Sequence, residues 1–388
     1  MGHKQNYLQR RSEGAQKKIY FKILYDGRYP SEKAAALFVS EQAHHLLKSG
    51  YEAEIITSTR KTSQENPKYA DEKFSVSEHT TIGPPFSPSN KVILVLNQLR
   101  FGIKSRRYIS KMMDKKIRIC VICNTIFPLI VQNKKNFLVF EIHDAIPKWL
   151  EFKFFSSRVS LLICTNSFKF KELSTSNQKK SLILRNPTSV TYNLDLEDTA
   201  TSKKSLISFF NAPHDSKIVL YTGSFGPEKN PRLLFEIVTL LPGFSFCFLG
   251  PKIEETMKEC GIQEKPANFF FRDSVDVLTV KKLQKGADVL LLTENQENSI
   301  SALYTSPMKL IEYIDARRTI VAPDLPAIRE FLPLSGLYLY KSDSIYDLKK
   351  TIMEVVSTEK QIVRSDEEMK KYSWEFRISN IVSKYHSV

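Results

Sequence analysis

The run Tyr304-Thr-Ser-Pro-Met-Lys-Leu-Ile-Glu-Tyr313 holds the sharpest chemistry in this 388-residue chain. Ser306 is a good N-cap and Pro307 a good first helical residue, so a helix is predicted to open there. Its unpaired backbone N–H groups and positive dipole end suit phosphate oxygens. Lys309 and Glu312, three residues apart, share a face one turn in. A carboxylate there can accept two hydrogen bonds from vicinal hydroxyls such as those of a ribose, although the spacing also fits a plain surface ion pair of little worth. A second run is Tyr221-Thr-Gly-Ser-Phe-Gly-Pro-Glu-Lys-Asn230. Gly223 and Gly226 let backbone approach a ligand closely, and Lys229 could meet a diphosphate. The pattern matches neither the dinucleotide fingerprint nor the P-loop, and a tight turn with an exposed lysine has the same appearance. In Phe140-Glu-Ile-His-Asp144, His143 could reach a sugar hydroxyl or a developing charge, or simply bond to Asp144. In Tyr25-Asp-Gly-Arg-Tyr-Pro-Ser-Glu-Lys33, Gly27 would leave room for a substrate, and Arg28 and Lys33 could serve anions or lie exposed.

Positioning these groups needs strand ends and helix starts, and the apolar pattern supplies both. Short strand candidates alternate with amphipathic helical stretches, which argues for parallel sheets covered by helices. The first-half strands are expected at Ile19–Tyr25, Glu52–Thr57, Val92–Leu96, Ile117–Ile122, Phe137–Ile142, Leu161–Cys164 and Leu182–Leu184. A second alternation has strands at Lys217–Tyr221, Phe244–Leu249, Asn268–Phe271, Asp288–Leu292 and Thr319–Ala322. Its helices are expected over Pro231–Leu241 and from Pro307. The stretch 59–90 reads as a mobile connection. The expected layout is a basic tail 1–17, a Rossmann-like domain 18–190, a linker 191–215, a second Rossmann-like domain 216–365 and a closing helix 366–388. Ligands of such sheets bind beyond the carboxyl ends of the strands.

Composition narrows the class. Apolar residues are 42% and charged ones 26%, the balance of a soluble globular chain. No run approaches the roughly 18 apolar residues of a membrane-spanning helix. The charged N-terminus lacks the apolar core of a signal peptide, and Asn6 stands where a myristoylation signal wants Ser or Thr. Five cysteines do not make a disulfide framework. Cys120-x-x-Cys123 sits in a strand whose alternation points the two thiols to opposite faces, against a redox or metal pair. The expected compartment is the cytoplasm.

The net charge of +15 predicts attraction to a polyanion. Its densest cluster is Arg100, Lys104, Arg106, Arg107, Lys111, Lys115, Lys116 and Arg118. An anionic bilayer or a lipid-phosphate acceptor fits this cluster, as does a solvated surface without a partner. Nucleic acid fits poorly, because stacking aromatics are not interleaved.

In order along the chain, these motifs resemble glycosyltransferase family 4 of the GT-B superfamily. Its most recognisable stretch corresponds to Ser306-Pro-x-Lys-x-x-Glu-Tyr313 followed by Ile320-Val-Ala-Pro-Asp-Leu-Pro-Ala-Ile-Arg-Glu330. Pro30-Ser-Glu-Lys-Ala34, Glu141-Ile-His-Asp144, Leu184-Arg-Asn-Pro187 and Tyr372-Ser-Trp-Glu375 extend the resemblance over nearly the whole chain. It implies two doubly wound α/β domains facing a cleft, with a C-terminal helix crossing back to the first domain. It further implies retaining transfer of a hexose-type sugar from a nucleotide-diphosphate donor to a glycan or polyprenyl-phosphate-linked acceptor, in cell-surface polysaccharide or glycoconjugate synthesis. No metal or other cofactor is required.

By analogy, Lys229 contacts the diphosphate, Glu312 the ribose, and the Thr305 and Ser306 amides the phosphates. Gly223, Ser224, Gly250 and Lys309 join the donor site, His143 lies near the transferred sugar, and Gly27 lies where donor and acceptor meet. Arg100, Lys104, Arg106, Arg107 and Lys111 then form an acceptor or membrane face at the inner leaflet. Two positions depart from the family. Tyr304 replaces the first of two glutamates, and Ser224 stands where a basic residue often follows the glycine. The rival reading is an inactive GT-B scaffold that binds a membrane or protein partner. A metal-dependent transferase would need a carboxylate pair at a strand end, and Asp195-x-Glu197 falls in the linker. An epimerase or phosphorylase on the same fold also remains open. The residues give no expectation of oligomeric state.

Overall fold

The computed structural model describes residues 19–27, 29, 34–58, 79–81, 91–112, 118–143, 156–188, 198–262, 264–295, 308–358 and 364–387. Seven strands form the first sheet: β1 (Tyr20–Tyr25), β2 (Glu52–Thr57), β3 (His79–Thr81), β4 (Ile119–Cys123), β5 (Phe137–Ile142), β6 (Leu161–Cys164) and β7 (Ser181–Ile183). Six form the second: β8 (Lys217–Thr222), β9 (Phe244–Leu249), β10 (Phe269–Arg272), β11 (Val289–Leu291), β12 (Thr319–Pro323) and β13 (Leu337–Tyr340). Every neighbouring pair is parallel. The orders are β3-β2-β1-β4-β5-β6-β7 and β10-β9-β8-β11-β12-β13. Each sheet therefore reverses direction once, between β1 and β4 and between β8 and β11. Helices on either side leave the strand ends splayed at that point, which makes it the ligand crevice of an open α/β sheet.

Helices α1 (Ala34–Lys48), α2 (Lys91–Met112), α3 (Ile126–Ile130) and α4 (Ser167–Glu172) belong to the first sheet. Those of the second are α5 (Thr199–Phe210), α6 (Pro231–Leu240), α7 (Val277–Gly286), α8 (Met308–Asp315) and α9 (Ile345–Ser357). Because both faces are covered, the central strands are buried throughout; every residue of β4 and β5 is. That is why they read as continuous apolar runs. Cys120 and Ile122 face one core while Val121 and Cys123 face the other. The two thiols are thus separated by the sheet, and burial raises both thiol pKa values.

Two sequence expectations need correction. Val92–Leu96 is the opening of α2, not a strand. A short apolar run fits either state. The continuation decides, since Asn97, Phe101, Ser105 and Ile109 recur at helical spacing and are buried. In the stretch read as a linker, 191–215, α5 packs against α7. Gly286 allows this close approach, since a Cβ there would lie 2.4 Å from the Ser202 carbonyl oxygen. The tail 1–17 lies outside the described residues, as does all of 59–90 except the short β3 at 79–81.

The closing helix, α10 (Trp374–Ser387), returns to the first domain as the resemblance implies. Ile378 and Ile381 enter the core that holds Phe21 and Val139. The domains also meet directly. Arg185 donates to the Glu330 carboxylate at 3.1 Å and to its carbonyl at 2.7 Å, and the Ser167 amide reaches the same carboxylate at 3.0 Å.

Candidate functional site

The second domain's switch point carries the site. Beyond β8 the chain turns at Gly223, whose φ of +124° lies outside the range of ordinary side chains. Its amide donates to the Leu249 carbonyl at 2.8 Å, which ties the turn to the end of β9. A Cβ on Gly250 would lie 2.0 Å from the Gly223 carbonyl oxygen. Both glycines are thus fixed by the meeting of two backbone turns. A short 3-10 turn, Pro227–Lys229, follows, and Asn230 then caps α6 from a left-handed conformation.

Lys229 does not project into solvent. Its Nζ lies 2.6 Å from Glu294 Oε1, with the side chains 19% and 4% exposed. Glu294 follows β11, so this ion pair spans the switch point. The backbones are joined as well, because Thr293 Oγ1 donates to the Lys229 carbonyl at 2.5 Å and the Asn295 amide donates to that of Glu228 at 2.8 Å. Burial raises the Glu294 pKa against the opposing pull of Lys229. Sequence reasoning missed Glu294. The available signal was its place just past a strand of the same sheet, at the end where Lys229 was already expected.

Lys309, in the first turn of α8, reaches the same turn. Its Nζ is 3.7 Å from the centre of the Tyr221 ring, and its Cε is 2.8 Å from where a Gly223 Cβ would stand. Among the described residues its buried nitrogen has no hydrogen-bond partner, so the surface ion pair with Glu312 does not form. Burial, and then the charge of Lys229, lower the Lys309 pKa to about 7. Glu312 stands exposed one turn on, with Lys309 the strongest charge on its carboxyl and the Gln284 amide beside it. Gln284 in turn donates to Thr222 Oγ1 at 3.0 Å. The Tyr313 hydroxyl accepts from the Thr222 amide at 3.0 Å and donates to the Leu291 carbonyl at 3.2 Å, clamping β8 to β11 under the site.

Gly223, Lys229, Gly250, Lys309 and Glu312 therefore converge on one crevice. Ser224 lies exposed at its rim, where its carbonyl accepts from the Tyr221 hydroxyl at 2.6 Å. Thr305 and Ser306, with Tyr304, lie outside the described residues, as do Arg28, Lys33, Asp144, Lys115 and Lys116.

In the first domain Asp26 and Gly27 follow β1, and Thr125 follows β4. Asp26 Oδ1 accepts from Thr125 Oγ1 at 2.9 Å, across that sheet's own switch point, and Oδ2 accepts from Gln98 at 2.7 Å. A Cβ on Gly27 would lie 2.4 Å from the Tyr25 ring, so a larger residue there would have to displace that ring. His143 follows β5, partly exposed, with Nε2 3.7 Å from Glu141 and its ring against Phe38.

The basic cluster separates. Arg100, Lys104, Arg106, Arg107 and Lys111 are exposed on α2, alongside exposed Leu96 and Ile103. Arg118 instead stacks between the Phe137 and Tyr385 rings, 5.2 and 5.4 Å from their centres. Near the start of α2, Gln98 reaches Asp26 at the carboxyl end of β1, whereas Tyr108 bonds Glu54 early in β2. The helix thus starts at the crevice end of the domain, with Arg100 nearest to it, and runs away from the carboxyl ends of the strands.

Two parallel domains with these switch points and a returning C-terminal helix define the GT-B fold. No protein-family model matches the sequence, and no curated protein matches it significantly. Solved structures do. A glycosyltransferase from Rickettsia africae ESF-5 superposes with a TM-score of 0.68 at 11% identity, over 96% of this chain and 99% of that one. Sucrose-phosphate synthase from Thermosynechococcus elongatus gives 0.66 at 16% identity, over 95% and 99%. Anabaena Alr3699/HepE in complex with UDP-glucose gives 0.65 at 12% identity, over 95% and 100%.

Proposed function

We propose that this chain is a retaining, metal-independent glycosyltransferase of the family 4 type, which moves a hexose-type sugar from a nucleoside-diphosphate donor to a glycan or polyprenyl-phosphate-linked acceptor. The observation that carries the reading is the meeting of Lys229, Lys309 and Glu312 around the Gly223 turn at a sheet's switch point. Breaking the bond between the anomeric carbon and the β-phosphate oxygen leaves negative charge on the diphosphate. A fixed ammonium beside a glycine turn stabilises that charge without reorganising at the moment of reaction. Lys229 holds the diphosphate, and Glu312 accepts from the ribose hydroxyls. His143, across the cleft, faces the transferred sugar, and the amides of Thr305 and Ser306 complete the phosphate cradle. The acceptor attacks from the side the diphosphate leaves, and a donor phosphate oxygen takes the acceptor's proton.

The test is a thermal-shift panel of uridine, guanosine and adenosine diphosphates, followed by hydrolysis of the matching nucleotide sugars. One base should raise the melting temperature and its sugar should be slowly hydrolysed. If no nucleoside diphosphate bound, the reading would fail. Tyr304 and Ser224, in place of the family's carboxylate and basic residue, favour a second reading, an inactive scaffold. Nucleotide binding with neither hydrolysis nor transfer would select it.

We further infer that the exposed face of α2 meets the anionic inner membrane leaflet. Leu96 and Ile103 enter the interface, and the five basic residues contribute about 1 kcal/mol each near anionic headgroups. Co-sedimentation should rise steeply with the anionic lipid fraction. It should fall when Arg100, Lys104, Arg107 and Lys111 are all changed to Glu. Binding indifferent to lipid charge would remove this part of the proposal.

A further inference from the structure

Among the described residues, two buried polar atoms in this crevice lack hydrogen-bond partners, and they belong to one charge cluster: Lys309 Nζ and Glu294 Oε2. Glu294 spends its other oxygen on Lys229. Among the described residues, the charged and titratable groups facing Lys309 come from every packed element. They are Tyr221 on β8, Glu228 and Lys229 on the 3-10 turn, Glu294 after β11, and Glu312 on its own helix. A buried ammonium with no acceptor loses its hydration and gains nothing direct in return. The Tyr221 ring offsets part of that loss, but the charge of Lys229 opposes a second cation. The uncharged amine is the form this packing favours.

Resting on the donor reading above, we propose that Lys309 is a proton-linked positioning residue. It is a neutral amine while Lys229 is paired with Glu294, and it gains one proton from solvent when a nucleoside diphosphate draws Lys229 onto its phosphates. The new ammonium then donates to Glu294, whose second oxygen already lacks a partner. The balance is simple: R-NH2 and one solvent proton give R-NH3+, with no other bond made or broken. Glu294 is never left without a cation, and the pocket gains one positive charge only when the anionic ligand is present. Donor affinity is therefore tied to pH. Because the free-state amine must be protonated, the ligand binds more weakly as pH rises above about 7. The limiting slope is about tenfold per pH unit for one linked proton.

Two measurements on the full chain test this. In the first, lysine Cε is 13C-labelled and followed by NMR from pH 6 to pH 10 without ligand. One resonance, absent in Lys309→Met, should titrate near neutrality. If every lysine stayed charged past pH 9, the proposal would be overturned, whatever the variant's folding. In the second, UDP binding at pH 8, or that of whichever diphosphate binds, is measured calorimetrically in two buffers of different ionisation enthalpy. The expected uptake is close to one proton, and it should vanish in Lys309→Met. Binding without uptake would overturn the proton linkage and leave the donor reading standing. If no diphosphate bound while the resonance titrated as expected, the donor reading would fall and the ligand half of this proposal with it.

Discussion

Changing Lys229 to Ala should lower turnover of the nucleotide sugar by about 100- to 1,000-fold, the usual cost of removing one fixed donor from a developing negative charge. The loss should fall on both KM and kcat, because the diphosphate is already anionic in the bound donor and gains a further charge as it departs. Stability should change less. Glu294 would lose this cation, but the neighbouring Lys309 amine can take up a proton in its place, and burial already biases the Glu294 carboxyl toward the neutral form. Lys229→Arg should recover part of the rate, since it restores charge but not the compact ammonium. The measurements are steady-state kinetics alongside a thermal melt. An alanine variant that turned over within a few-fold of wild type would remove Lys229 from the mechanism.

The second large effect concerns the helix that returns to the first domain. Arg377 and Glu141 are 1% and 3% exposed and lie 2.7 Å apart. Arg377 also donates to the carbonyls of Leu184 and Arg185, at 3.0 and 3.2 Å, just where the chain leaves the first domain. One guanidinium thus ties α10, β5 and the crossover together. Arg377→Met keeps the bulk but leaves a buried carboxylate held by the Gln42 amide, at 2.8 Å, with His143 beside it. Breaking such a pair costs about 3–5 kcal/mol, which for domains of this size lowers the melting temperature by about 6–20 °C.

The pH profile should change with it. Although burial opposes ionisation, Arg377 and His143 hold the Glu141 pKa down to about 2 from a model-peptide value of 4.5. A depressed carboxyl contributes stability above its unfolded pKa and loses it as pH falls toward the folded one. Wild type should therefore weaken between pH 4.5 and 2. The Arg377→Met variant should lose most of that limb, since of Arg377 and His143 only the latter then favours the ionised Glu141. An acid melt identical in both proteins would contradict this account.

Residue order alone determined a good deal here. Strands buried on both faces had to be nearly continuous apolar runs, and most were placed within a residue or two. The glycine turn after β8 and the start of α8 near Pro307 were legible because each depends on neighbours a few positions away. Val92–Leu96 was misread because five apolar residues satisfy either periodicity; the sheet packing of Phe101 and Ser105 settled it as helix. Only the tertiary structure paired Lys229 with Glu294, 65 residues on, and set Lys309 beneath Gly223 rather than on Glu312. It also turned Arg118 away from the basic face. The physical reason is that a strand's neighbour is chosen by burial over the whole sheet, not by local sequence. Which side chains meet at the switch point follows only once β8 and β11 lie side by side.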